Sequence, residues 1–85
     1  MNNENLQPTT DGLRKYIQGE LINDTTTLIE DDDDLLLSGL LDSLNVVRLA
    51  SFMEQTYEFS IPPEDMVVEN FGSLNQIVAY VANRV

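Results

Sequence analysis

Asp42, Ser43 and Leu44 sit where a polar loop gives way to an apolar-periodic run, in "SGLLDSLNVVRLASFM" (residues 38–53). A serine hydroxyl there has three chemical uses. It can cap the helix by accepting a backbone N–H bond, act as a nucleophile, or receive a group attached by another enzyme. Nucleophilic use needs a base, and the chain has no histidine and no cysteine, so no Ser-His-Asp or Cys-His arrangement can be built from it. Carboxylates, four basic residues and three tyrosines remain as acid–base candidates, and no suitable base lies near Ser43 in the sequence. No enzymatic activity of the chain itself is expected. Attachment asks only for an exposed hydroxyl beside an acidic residue and a docking surface, and a helix start after a loop satisfies it.

The run Glu30–Asp34, "EDDDD", invites a calcium reading. An EF-hand loop needs alternating oxygen ligands, Gly at its sixth position and Glu at its twelfth. Counted from Asp31, those positions hold Leu36 and Asp42, so the pattern fails. Without Cys or His there is no thiolate or imidazole metal set either. Five adjacent carboxylates are expected to form a solvated loop, or an element that steers partners.

The formal net charge of −11, from 15 acidic and 4 basic residues, repels nucleic-acid phosphates and anionic membranes, and draws basic protein surfaces. "MNNENLQPTTDG" lacks the basic and apolar regions of a signal peptide. No apolar run approaches membrane-spanning length. A monomer in the cytoplasm, bound to neither nucleic acid nor membrane, is the expectation.

At 85 residues, 42% of them hydrophobic, the chain is one small domain that buries about 60% or a little more of its surface. Residues 1–10 read as a disordered tail and 11–85 as the domain. Leu13, Tyr16, Ile17 and Leu21 have helical spacing, with Thr10 or Asp11 as cap and Gly19 as a weak point. Residues 23–42 form a long connection, and Leu28, Ile29, Leu35, Leu36, Leu40 and Leu41 predict that it is ordered against the core.

A second helix is predicted from Ser43 to Tyr57 or Glu58. Its inner face holds Val46, Leu49, Ala50, Met53 and Tyr57; its outer face holds Leu44, Val47, Arg48, Ser51, Glu54, Gln55 and Glu58. Phe59 and Ile61 point inward, and a short helix should open at Pro63 or Glu64 and run through Val68. Ser73 and Gln76 stand in capping-box relation before a last helix with the stripe Leu74, Ile77, Val78, Val81 and Val85. The fold class is all-α: a small bundle of three main helices plus one short helix, with a long ordered loop between helices 1 and 2.

The order of long loop, Asp42-Ser43-Leu44, amphipathic helix, Phe59-Ser60-Ile61-Pro62, short helix, then Phe71 and the capped Ser73-Leu74 helix resembles the acyl and peptidyl carrier protein family. The resemblance covers roughly residues 11–84. It implies that Ser43 receives a 4'-phosphopantetheine arm from coenzyme A through a phosphopantetheinyl transferase, and that the arm's thiol holds acyl or aminoacyl groups as thioesters. Asp42 and Leu44 would help present Ser43. Leu44, Val47, Arg48, Ser51, Glu54 and Gln55 would meet the transferase, a loading ligase that adenylates the cargo, and downstream thioester-processing enzymes.

"SGLLDSL", with Gly39 three residues before Asp42, looks like discrete carriers served by stand-alone adenylating enzymes, D-alanyl carriers among them. Asn45 and Arg48 replace acidic residues usual in fatty-acid carriers, which points to a specialised polyketide or nonribosomal-peptide-type pathway over the housekeeping one. An acidic interaction module with no prosthetic group is the competing class, and Ser43 separates the two.

The charge balance has one consequence independent of function. Self-repulsion among so many carboxylates in a small body is screened by ions. Added salt or millimolar divalent cations should therefore raise the thermal midpoint in a melting experiment. A sub-micromolar calcium affinity would contradict this screening account.

Overall fold

A computed structural model describes residues 8–84. The seven residues that make up most of the expected tail, and Val85 of the expected last stripe, lie outside the described residues. Four helices follow one another: α1 (Thr10–Tyr16), α2 (Ser43–Tyr57), α3 (Val68–Phe71) and α4 (Leu74–Ala82). No strand occurs among the described residues, and no described helix is long and apolar enough to cross a membrane.

The first helix starts one residue earlier than expected. Thr9, not Thr10 or Asp11, is its cap, with Oγ1 accepting from the Gly12 amide at 3.0 Å. α1 then widens into a π-helical stretch, Ile17–Leu21, which contains Gly19. Leu13, Ile17 and Leu21 stay inward along its length. Tyr16 stacks on Phe52 of α2, with ring centroids 3.8 Å apart, so the two helices meet through aromatic faces.

The core gathers one face from each helix and three side chains from the loop. Val46, Leu49, Ala50 and Met53 of α2 meet Phe71, Leu74, Ile77, Tyr80 and Val81, with Ile29, Leu35 and Leu41 between them. Tyr57 and Val78 are only partly buried. α2 ends where Glu58 turns into the left-handed region at φ 58°, which redirects the chain so that Ile61 enters the core.

Two expectations need correction. Leu28 does not pin the loop, because its side chain is 85% exposed and its neighbour Ile29 takes the buried place. The short helix predicted through Val68 is instead two separate turns: a 3₁₀ turn at Pro63–Asp65, then α3. Met66 breaks the run at φ −83°, ψ 64°, and the Asp65 carbonyl accepts from the Asn70 side chain instead of continuing a helix.

The acidic run is also more structured than a solvated loop. Asp33 accepts from the Glu30 amide at 2.9 Å, and Asp34 accepts from the amides of Leu36 and Leu37. Asp32 accepts from the Asn75 side chain at 2.6 Å, and Asp31 pairs with Arg14. These are turn-making and tethering bonds, the local use to which short acidic side chains are well suited.

Arg14 is the main tether from α1. Its Nε donates to the Ile29 carbonyl at 2.7 Å, and its other nitrogens reach Asp11 and Asp31. Replacing it with Ala leaves the half-buried Ile29 bond unmade. Arg14→Ala is expected to lower stability by about 1–3 kcal/mol in a denaturant titration, a range typical of a lost charge-assisted bond. A change within error would show that the loop holds without this side chain.

Candidate functional site

The start of α2 divides two tasks between neighbours. Asp42 adopts extended backbone, and its Oδ1 accepts from the Asn45 amide at 2.9 Å, so the aspartate is the cap. Ser43 becomes the first helical residue. It is exposed, and its hydroxyl makes no hydrogen bond among the described residues. A capping serine would have its oxygen committed to an amide; this one is available.

Beside it lies an open groove of about 520 Å³ lined by Leu36, Gly39, Leu41, Asp42, Ser43, Val46, Val47 and Met66. The loop supplies one wall through a turn in which the Gly39 amide donates to the Leu36 carbonyl at 3.1 Å. Gly39 takes φ 85°, a left-handed conformation natural to glycine. Met66 supplies part of the opposite wall. A larger concavity of about 730 Å³, lined by Arg14, Gln18, Leu28 and the residues from Ile29 to Asp33, holds no hydroxyl, and its Arg14, Asp31 and Asp32 are engaged in the tethers above. The smaller groove is the one that adjoins the uncommitted Ser43 hydroxyl.

The position of Met66 is set from α4. Asp65 accepts from the Tyr80 hydroxyl and from Arg84, both at 2.6 Å, and Arg84 also lies over the Tyr80 ring at 5.0 Å. This three-residue latch holds the Pro63–Asp65 turn, and with it the groove wall.

Most of the expected site residues share one surface. Leu44, Val47, Arg48, Ser51 and Gln55 are all exposed along α2, with Asp42 and Ser43 at its start. Glu54 is the exception. It is half-buried, and its carboxylate accepts from the Ile61 amide at 2.7 Å, so it serves the chain reversal after α2 and is withdrawn from the outer face. Leu36, Gly39 and Met66 line the groove, and the sequence pattern does not mark them as site residues. In "DLLLSGLL" the loop has no period from which to phase its leucines, and Met66 follows a Pro-Pro pair that hides its direction.

An exposed, unengaged serine at a capped helix start, beside a groove in a small helical bundle, has the features of a carrier domain, which holds a group rather than transforming one. Residues 11–81 match the family described as Phosphopantetheine attachment site, and the chain belongs to this family of phosphopantetheine-binding carrier proteins. It is similar to the D-alanyl carrier protein of Lactococcus lactis subsp. cremoris (strain MG1363), 35% identical over 66 residues that cover 76% of this chain and 84% of the relative. The D-alanyl carrier protein of Abiotrophia defectiva is 33% identical over 66 residues, covering 78% and 84% of the two chains.

The prosthetic group of the family is covalently attached 4'-phosphopantetheine, and the protein is a carrier, not an enzyme. The residues present suit the group. A free hydroxyl at the first turn of a helix favours an attached phosphate electrostatically, and the adjoining groove has both polar and aliphatic walls. The chain has no thiol of its own to compete for the cargo.

The latch titrates. Tyr80 is pushed up to about 12 from the ordinary value of 10.0, chiefly by burial and then by its bond to Asp65. A raised value in the folded state means that this contribution to stability is complete below pH 10 and lost as pH rises toward 12. Burial raises Tyr57 as well, so both tyrosines add to the alkaline loss. Tyr80→Phe should flatten part of that loss in thermal melts taken across this range. An unchanged alkaline profile would show that Tyr80 ionises as freely folded as unfolded.

Proposed function

We propose that the protein is a discrete aminoacyl carrier whose arm is attached at Ser43, loaded in the cytoplasm by an adenylating ligase, with D-alanine as its first candidate cargo. The observation that supports this reading most directly is the uncommitted Ser43 hydroxyl, left free because Asp42 caps α2. The choice of cargo draws on the D-alanyl carriers to which the chain is similar, and on the "SGLLDSL" form of the attachment segment.

When bound, 4'-phosphopantetheine supplies the thiol that this chain lacks and holds the cargo as a thioester. The chain's own residues do the rest. Ser43 offers the attachment oxygen, while Asp42 fixes the helix start that aims it. Leu44 and Val47, 67% and 49% exposed, are aliphatic anchors for the transferase, the ligase and the enzymes that receive the cargo. Arg48, Ser51 and Gln55 extend that face. A carrier of a polyketide or nonribosomal-peptide-type pathway would use the same surface, and the amino acid accepted separates the two. A housekeeping fatty-acid role is disfavoured by Asn45 and Arg48, which break the acidic character expected of such a helix.

The test is incubation with coenzyme A and a broad-specificity phosphopantetheinyl transferase, followed by intact mass. One phosphopantetheinyl group should be gained by the parent and none by Ser43→Ala, with circular dichroism confirming that the variant stays helical. Modification of Ser43→Ala, or of Ser38 or Ser51 in the parent, would overturn the assignment.

A further inference from the structure

The outward stripe of α2 differs electrically from the rest of the molecule, and the fold makes it so. Asp42 at one end is turned to the Asn45 amide, and Glu54 is turned to the Ile61 amide. Glu58 lies beyond the last helical residue. Between Asp42 and Glu58 the exposed positions are Ser43, Leu44, Val47, Arg48, Ser51 and Gln55, and from Leu44 onward they are spaced to form a continuous stripe. This stripe carries one charge, and it is positive. The chain as a whole is at −11.

Arg48 also differs from the other arginines. Arg14 is paired with Asp11 and Asp31, and Arg84 with Asp65. Arg48 is exposed and has no carboxylate partner among the described residues. The acidic residues Asp31 and Asp32 are tied to α1 and α4 through Arg14 and Asn75, not to α2. Charges interact strongly only within a screening length of about 8 Å at physiological salt. A partner in contact with the stripe therefore meets Arg48 and the aliphatic side chains before it meets the global negative field.

Leu37 extends the apolar part. It is 80% exposed and sits in the Leu36–Gly39 turn, whose two end residues line the same groove as Val47. Leu37 thus adds an exposed aliphatic side chain on the loop, in the turn that borders this groove.

We infer that the loading ligase receives this face with an apolar socket for Leu44 and Val47, bordered by a carboxylate that pairs with Arg48, and not with a basic patch. This rests on the carrier reading above and adds the polarity of the partner's surface. A basic patch would set like charges against each other at the centre of contact, which selects against that partner. A carboxylate gives Arg48 the bidentate partner that none of the described residues of its own chain provides.

The test begins with holo protein prepared from the parent, Arg48→Glu, Arg48→Lys and Glu54→Gln, each checked by intact mass. Failure of the parent to take the arm counts against the carrier reading and says nothing about polarity. Loading is then followed kinetically with a D-alanine-adenylating ligase at low and high salt. Arg48→Glu should raise KM about tenfold or more at low salt with kcat little changed, since encounter and docking are affected and chemistry is not. The difference should narrow at high salt, Arg48→Lys should stay near the parent, and Glu54→Gln should load normally. If Arg48→Glu takes the arm and then loads with a KM equal to or below the parent's at low salt, the partner's surface is not acidic and the inference is wrong.

Discussion

The fold depends on how a twenty-residue loop is fastened, and the fastening centres on Leu35. Its side chain has no exposed surface. Its amide donates to the Gly72 carbonyl at 2.7 Å, and its carbonyl accepts from the Leu41 amide at 2.9 Å. One residue therefore joins the loop to the α3–α4 junction and closes the turn that leads to Asp42. The receiving position accepts only glycine comfortably: a Cβ on Gly72 would lie 2.6 Å from the Val68 carbonyl oxygen. Removing Leu35 would take away buried apolar surface and leave two backbone groups to find new partners, the combination that makes core loops intolerant of change. Ile29 and Leu41 repeat the pattern on either side.

From that anchor the site follows. Leu41 is buried immediately before Asp42, so the chain enters α2 from a fixed point, and Asp42 reaches its cap geometry there. Capping by the aspartate leaves the next residue's hydroxyl free. On the other side of the groove, Asp65 binds Tyr80 and Arg84 and holds Met66 in place. The Ser43 groove is thus set between two fastened loops. The chain contributes a stable address and a recognisable face, and the reactive thiol comes with the attached arm.

Much of this was legible from residue patterns, and the failures have physical causes. α2 could be read to within a residue, because a 3.6-residue apolar period and an Asp-Ser start agree. Ser73 was legible as a cap for the same reason, and its Oγ does accept from the Gln76 amide. Helical phase places Glu54 outside, while the Ile61 amide, which arrives only after the left-handed turn at Glu58, draws it in. Irregular backbone has no phase, so the sequence does not distinguish Leu28, which is exposed, from Ile29, which is buried and whose carbonyl Arg14 binds. The aspartates of Glu30–Asp34 looked alike in the sequence. In the fold each has its own partner, and those partners come from residues as far away as Asn75.

The central claim is that the loop before Ser43 is as much a part of the folded core as the helices. Native-state amide hydrogen exchange measures this residue by residue. The Leu35, Leu41 and Asn75 amides, bonded to Gly72, Leu35 and Asp31 respectively, should exchange as slowly as the amides of α2, opening only with global unfolding. Exchange of these three amides at the rate of free peptide, while α2 stays protected, would contradict the account.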